Sequence, residues 1–280
     1  MSESLRQKIE KRMQELGIAA KRSLGQNFLV SDNTVDRIIA AAEPRRFQQV
    51  VEIGPGLGSL TDLLKEQNQS LKLYELDRNF CEYWREQGLQ VIEGDVLKTN
   101  WSDFAWGDGG SLLVSNLPYQ ISSRLVVDLS IRQPTFDRMV LMFQKEVGKR
   151  IMAKPSSEDY GLLTVIAQAF WEVDLVLEAG AVDFFPRPNV ASRVLKFDYH
   201  ALDDRLATPH FLKFVKAGFE NRRKKLNRKL ESLFSKAEVA EAYSRLSLKE
   251  DIRVEALSVE QIKDLYLILS KTLEPSAKNH

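Results

Sequence analysis

Leu5, Ile9, Met13 and Leu16 recur at helical spacing, so the chain opens on an amphipathic helix. The stretch KRSLGQNFLV that follows is irregular, with Gly25, Gln26 and Asn27 set among apolar residues. Ser31 or Asp32 then caps a second helix carrying Val35, Ile38, Ile39 and Ala42 on one face, stopped near Pro44. Beyond it, short apolar runs alternate with helical stretches: 49–53 (QVVEI), 71–75 (LKLYE), 89–92 (LQVI), 112–115 (LLVS), 138–143 (RMVLMF), 173–178 (VDLVLE) and 193–198 (RVLKFD). Such alternation predicts an α/β fold, a doubly wound Rossmann-like sheet, mostly parallel, with helices on both faces. The last two runs lie close enough in sequence to form an antiparallel hairpin at the sheet edge. From residue 201 strand-like runs stop and helical periodicity takes over, as in Val215, Phe219, Leu226, Leu230 and Leu233. The expected division is therefore 1–200 as the α/β domain, with 1–26 its N-terminal helix and arm, and 201–280 as a small all-α domain. Asp203, Asp204 and Pro209 mark the linker.

Composition narrows the class. The chain has 280 residues, 44% hydrophobic and 28% charged, enough for a large domain and a smaller one with packed cores. The first sixteen residues, MSESLRQKIEKRMQEL, are charged from the start and lack the apolar stretch of a secretory signal, and no run is long and apolar enough for a membrane span. A single cysteine, Cys81, leaves no intramolecular disulfide, and three histidines offer no Cys/His metal spacing. A cytoplasmic, metal-free protein with no membrane association is expected. The net charge of +1 conceals an asymmetry: residues 1–200 hold 24 Lys+Arg against 27 Asp+Glu, and residues 201–280 hold 16 against 12. That imbalance directs a polyanionic partner to the C-terminal part.

The run VVEI leads into Gly54-Pro55-Gly56-Leu57-Gly58-Ser59-Leu60-Thr61, a glycine loop that opens a helix. Glycines there permit a sharp turn and leave no Cβ between backbone and ligand. Glu75 ends the next strand, placed to accept the hydroxyl hydrogens of an adenosine ribose. Asp95 ends the third strand, placed to accept from an adenine amine. Loop, spacing and strand context point to a nucleoside cofactor held by Gly54, Gly56, Glu75 and Asp95. They do not separate NAD from S-adenosylmethionine, since both carry adenosine on this architecture. Pro55 removes one amide that a pyrophosphate would use, which favours the methyl donor.

Asn116-Leu117-Pro118-Tyr119 follows the fourth strand directly, and ligands in open α/β sheets sit outside the carboxyl ends of strands. The exocyclic N6 of adenine is a poor nucleophile because its lone pair is delocalised into the ring. Two acceptors, Asn116 Oδ1 and the Leu117 carbonyl, can take both N6–H bonds, draw the nitrogen toward sp³ and aim its lone pair at an electrophilic methyl group. Tyr119 offers a ring on which the base stacks. Positioning and modest electrostatics suffice, with no strong base.

With these motifs the sequence resembles the small-subunit (16S-type) ribosomal RNA adenine N6-dimethyltransferase family over most of residues 20–230. The resemblance rests on Lys21 to Leu29 (KRSLGQNFL), the loop Val51 to Thr61, Tyr74-Glu75-Leu76-Asp77, Asn116 to Tyr119, Gln144-Lys145-Glu146-Val147, Phe184-Phe185-Pro186-Arg187-Pro188 and Asn221-Arg222-Arg223-Lys224-Lys225. It implies a class I methyltransferase domain, S-adenosylmethionine contacts at Asn27, Leu29, Gly54, Glu75, Asp95 and Asn116, and a Phe184 that closes the target-base pocket opposite Tyr119. It also implies dimethylation of two adjacent adenosines in a hairpin loop of small-subunit ribosomal RNA. Where relatives carry Lys-Val-Asp-Ser, this chain carries Asn189-Val190-Ala191-Ser192, without the lysine and aspartate. Two other readings share the motifs: a large-subunit adenine methyltransferase, and a non-catalytic RNA-binding assembly factor. The GQNFL stretch and the helical tail favour the small-subunit family.

Residues 221–230 hold six basic side chains and no acid: Arg222, Arg223, Lys224, Lys225, Arg228 and Lys229. On a helix Leu226 and Leu230 continue the apolar stripe, while the basic side chains flank it or point away. Phosphate binding is the expected use. The expected partner is ribosomal RNA within a partly assembled small subunit, met by a monomeric enzyme.

Overall fold

The computed structural model describes residues 3–20, 25–101, 104, 106, 108–132, 135–200, 203–220 and 225–270. Two compact units make up the chain: residues 1–126, 134–148 and 172–199 form the first, and residues 127–133, 149–171 and 200–280 the second.

In the first unit, helix α1 (Leu5–Glu15) begins at a capping box, Ser4 and Gln7 exchanging side-chain bonds for each other's backbone N–H, and buries Leu5 and Ile9. Helix α2 (Asp32–Ala42) starts as expected, with the Ser31 hydroxyl accepting from Thr34 N–H. Between them lies strand β1 (Phe28–Leu29), a pairing that the irregular sequence there did not suggest. The other elements follow as α3 (Thr61–Gln67), α4 (Arg78–Glu86), α5 (Tyr119–Ser130), α6 (Lys145–Ile151) and strands β2 (Gln49–Ile53), β3 (Leu71–Glu75), β4 (Gln90–Glu93), β5 (Ser111–Asn116), β6 (Arg138–Gln144), β7 (Trp171–Ala179), β8 (Phe184–Phe185) and β9 (Ser192–Tyr199). Seven strands form one sheet in the order β4-β3-β2-β5-β6-β9-β7, while β1 and β8 pair antiparallel as a separate ribbon.

β2 to β6 run parallel and β9 antiparallel to β6. At the edge, the ion pairs Lys196–Asp174 and Arg193–Glu178 step in opposite directions along β9 and β7, as antiparallel neighbours require. The central strands are apolar on both faces because both are covered; Val50, Val51, Leu112, Leu113, Val114 and Leu141 have no exposed surface. Strand order reverses between β2 and β5, so the connections after them leave the sheet in opposite directions and open a crevice at their carboxyl ends.

The second unit is helical: α7 (Leu162–Phe170), α8 (Pro209–Phe219), α9 (Leu226–Leu230), α10 (Lys236–Arg245) and α11 (Val259–Ser270). Residues 149–171, which the strand–helix alternation assigned to the α/β domain, group here. The reason is the near-uniform apolarity of α7, whose Val165, Ile166, Ala167, Ala169 and Phe170 are all buried and which packs on α8 and α11. Phe211 joins Phe170 and Tyr266, with ring centroids 6.0 and 5.1 Å away. The stripe expected to run on from Phe219 through Leu226 belongs to two helices, since α8 ends at Phe219 and α9 begins at Leu226.

Candidate active site

The carboxyl ends of β2, β3, β4 and β5 and the arm before α2 enclose a cavity of about 310 Å³, all of it within the first unit. Its floor is the glycine loop. Gly54, Gly56 and Gly58 all have positive φ, at 68°, 51° and 90°. A Cβ on Gly58 would lie 2.6 Å from the Trp84 ring, whose Nε1–H donates to the Gly56 carbonyl at 2.9 Å. A Cβ on Gly56 would lie 3.0 Å from the Phe28 ring. Arg12 of α1 ties the loop from outside, its Nη1 donating to the Leu57 carbonyl at 2.8 Å and its Nη2 pairing with Asp62 at 2.8 Å. Nothing in the sequence linked that helix to the loop.

Glu75 faces the cavity with 8% of its surface exposed. Oε1 accepts from the N–H groups of Leu76 (2.7 Å) and Asp77 (2.8 Å), and Oε2 accepts from Gly56 N–H at 3.3 Å. Burial raises its pKa above the ordinary value, against the pull of those three bonds. Oε2, with its one long bond, keeps capacity for a ligand hydroxyl. Asp95 also lines the cavity, held by Leu97 N–H at 3.0 Å to one carboxylate oxygen.

The arm makes the near wall: Gly25, Gln26, Asn27, Phe28 and Leu29 all face the cavity. Gln26 Nε2 donates to Asp77 at 3.1 Å, Ser59 Oγ donates to the Leu29 carbonyl at 2.6 Å, and β1 is clamped to β8 by the pairs Phe28↔Phe185 and Leu29↔Phe184. Lys21 to Leu24, the first part of the GQNFL-containing stretch, lie outside the described residues.

Asn116 closes the far end. Its Nδ2 donates to the Asn27 backbone carbonyl at 3.0 Å, so its Oδ1 is the amide atom left to accept. Leu117, Pro118 and Tyr119 line the cavity beside it. The Tyr119 hydroxyl lies 2.8 Å from Ser192 Oγ, and burial raises the phenol pKa. Asn27, Leu29, Gly54, Gly56, Glu75, Asp95 and the tetrad Asn116 to Tyr119 thus meet at one cavity.

Phe184 does not reach it. The β1–β8 ribbon pairs it with Leu29 and buries its ring with no exposed surface. In the basic stretch, Arg222, Arg223 and Lys224 lie outside the described residues. Lys225 and Arg228 are exposed, whereas Lys229 Nζ donates to the Ala217 and Gly218 carbonyls at 3.0 and 3.2 Å, capping the end of α8. Sequence reasoning missed Glu52. It is buried at the cavity floor, where its polar neighbour is the Thr61 hydroxyl. Burial pushes its carboxyl up to about 8 against the pull of the Thr61 hydroxyl, with the charges of Asp62 and Glu75 adding to the rise. Its only sequence signal was an acid inside an otherwise apolar strand.

The cavity fits an adenosine cofactor with a polar tail: a fixed carboxylate at the β3 end, a Cβ-free cradle, and a second buried carboxyl at the floor. A family model for ribosomal RNA adenine dimethylase matches residues 17–271. A ribosomal RNA small subunit methyltransferase A of Bdellovibrio bacteriovorus is 46% identical over 268 residues, covering 93% of this chain and 96% of that protein. Its counterpart in Chlorobium chlorochromatii is 36% identical over 259 residues, covering 92% and 96%. Among solved structures, a dimethyladenosine transferase from Plasmodium falciparum shares the fold with a TM-score of 0.74 at 24% identity, covering 87% of this chain and 98% of that one. A 23S rRNA methyltransferase does so at 0.65, with 24% identity and 87% and 100% covered. Sheet, glycine loop and acid-ended strands define a class I methyltransferase that uses S-adenosylmethionine. Within that class, the chain belongs to the ribosomal RNA adenine dimethylase family.

Proposed function

We propose that the chain transfers methyl groups from S-adenosylmethionine to N6 of adenine in small-subunit ribosomal RNA, dimethylating two adjacent adenosines of a hairpin loop near the 3' end. The observation that carries this reading is the locked Asn116 amide, whose Nδ2 is held by the Asn27 carbonyl so that Oδ1 is the atom offered to a bound base. Relatives named for the small subunit, at up to 46% identity, support that subunit over the large one.

In this reading Glu75 Oε2 accepts from the ribose of the donor and Asp95 receives its adenine amine. The donor, when bound, supplies a methyl group on an electron-poor sulfonium. Asn116 Oδ1 and the Leu117 carbonyl accept the two N6–H bonds of the target, so its nitrogen lone pair is released from the ring. Tyr119 holds the base by stacking, worth roughly 1–3 kcal/mol. Leu117, at 2% exposed, with the arm across the near wall, keeps water from the amine. No strong base is needed, because the alkylated ammonium is acidic enough to lose its proton readily. Lys225 and Arg228, exposed on the second unit, serve phosphate contacts together with Arg222, Arg223 and Lys224.

Asn116→Ala is expected to lower kcat by about a hundredfold while RNA affinity holds. A tritiated-methyl transfer assay at saturating donor and RNA, with donor affinity measured alongside, tests this. Turnover near that of the unsubstituted enzyme would remove the role.

A further inference from the structure

We propose that Ser192 is a positioning residue for methyl transfer, fixing the plane of the Tyr119 ring through its hydroxyl. The proposal rests on the reading that Tyr119 stacks the target base.

Ser192 is the first residue of β9, has no exposed surface, and pairs in register with Gln144, the last residue of β6. A hydroxyl buried there must find a partner or carry a desolvation cost. Other buried serines nearby satisfy that need on the backbone: Ser115 donates to the Ile53 carbonyl at 2.5 Å and Ser122 to the Tyr119 carbonyl at 3.0 Å. Ser192 instead meets the phenol of a side chain that lines the cavity, 2.8 Å away.

The end of β9 that carries this serine is well held. Ala191 accepts from Lys145 N–H at 2.8 Å, and Glu178 binds both Lys145 Nζ (2.8 Å) and the Arg193 guanidinium (2.6 Å). A Cβ on Gly148 would sit 2.9 Å from Arg193 Cβ, so the helix after β6 packs directly on this strand. Tyr119 is thus fixed at both ends. Its backbone starts a helix and receives the Ser122 hydroxyl, and its phenol is tethered to the first residue of β9.

The consequence follows from what stacking demands. A tyrosine ring free to change rotamer must lose that freedom each time a base binds, and a tilted ring misaims N6 relative to Asn116 Oδ1. A ring held beforehand bears on the reacting geometry, and so on kcat, more than on capture of the RNA. Two successive methylations at one nitrogen ask for the same ring plane twice.

The test uses the full-length protein with under-methylated small ribosomal subunits and S-adenosylmethionine, comparing Ser192→Ala, Tyr119→Phe, the double variant, Ser192→Thr and Tyr119→Ala. Ser192→Ala and Tyr119→Phe should each lower kcat by about tenfold, and the double variant should fall no further, because either substitution breaks the same bond. KM for the particle, donor affinity and the thermal midpoint should stay within about twofold or a few degrees. Ser192→Thr, which keeps the hydroxyl, should recover most of kcat. Losses that multiply in the double variant overturn the proposal, as does a Ser192→Ala enzyme with unchanged kcat or one whose loss tracks donor affinity or melting. Tyr119→Ala separates the two readings. Full turnover there removes base stacking itself, and the proposal with it. A large loss there alongside an unaffected Ser192→Ala removes only the tether.

Discussion

Two buried carboxylates share the glycine loop, and they are satisfied differently. Glu75 is held by three backbone N–H groups, which fix the orientation of its carboxylate toward the cavity. Glu75→Ala is therefore expected to weaken S-adenosylmethionine binding by about 1.5–3 kcal/mol. Calorimetry showing equal affinity, or tighter binding of NADH, would contradict the assignment. Among the described residues Glu52 receives no backbone N–H, only the Thr61 hydroxyl, and burial moves its carboxyl from the ordinary 4.5 to about 8. Across that window the folded protein binds one more proton than the unfolded chain, so stability falls as pH rises from about 4.5 to about 8 and levels off above. Glu52→Gln keeps the shape and removes the titration. Its advantage in thermal midpoint, measured without cofactor, should grow between pH 5 and pH 8.5, at about 2–4 °C per kcal/mol. An offset independent of pH would show that Glu52 titrates normally. Of this pair only Glu75 could be read from the sequence. Its place at a strand end, after a glycine loop, is a spacing, whereas the cost of burying Glu52 depends on which atoms enclose it.

At the scale of elements, the basic stretch divides into side chains with different duties. Lys229 caps α8, two carbonyls of which receive its ammonium, while Lys225 and Arg228 are exposed. Replacing Arg222, Arg223, Lys224 and Lys225 with glutamine should weaken RNA binding and flatten its salt dependence by about 0.7–0.9 log-log units per lost phosphate contact. Lys229→Gln should leave that slope unchanged and lower the stability of the helical unit instead, by about 0.5–1 kcal/mol. Filter binding across a salt series, with melting curves for each variant, distinguishes the two. A slope unaltered in the fourfold variant would assign the run to a solvated face. The helical wheel set Lys229 among the phosphate ligands because periodicity reports direction along a single helix. It could not report that α8 and α9 are separate helices and that one side chain caps the other.

For the molecule as a whole, charge bears on the choice of substrate. Residues 1–200 carry a net charge of −3 and residues 201–280 one of +4, which offers little long-range attraction for a short naked RNA. No helix among the described residues is long and apolar enough to cross a membrane. Docking of the basic stretch on one part of a folded particle raises the effective concentration of the target loop at Tyr119, provided the RNA holds dock site and target at a set separation. An under-methylated, partly assembled small subunit should therefore exceed the isolated hairpin in kcat/KM by at least about tenfold, or 1.4 kcal/mol. Steady-state assays on hairpin, full-length naked RNA and particle at near-physiological salt test this, and equal efficiency on the hairpin would refute it.

The alternation of apolar runs by itself determined the seven-stranded sheet nearly to its strand ends, and glycine, acid and Asn-Leu-Pro-Tyr spacings picked out residues that line one cavity. These signals are local: a strand, its turn and the residue after it are neighbours in sequence. What lay beyond reach were contacts between distant segments. Arg12 reaches the glycine loop, the Asn27 carbonyl orients Asn116, Ser192 meets Tyr119, and the two-residue strands Phe28–Leu29 and Phe184–Phe185 pair across the chain. Helix α7 joined the C-terminal helices for the same reason, since an apolar segment shows that it will be buried and not against what. Composition and periodicity state what each residue needs, a partner or removal from water; only the closed tertiary structure decides which distant group meets that need.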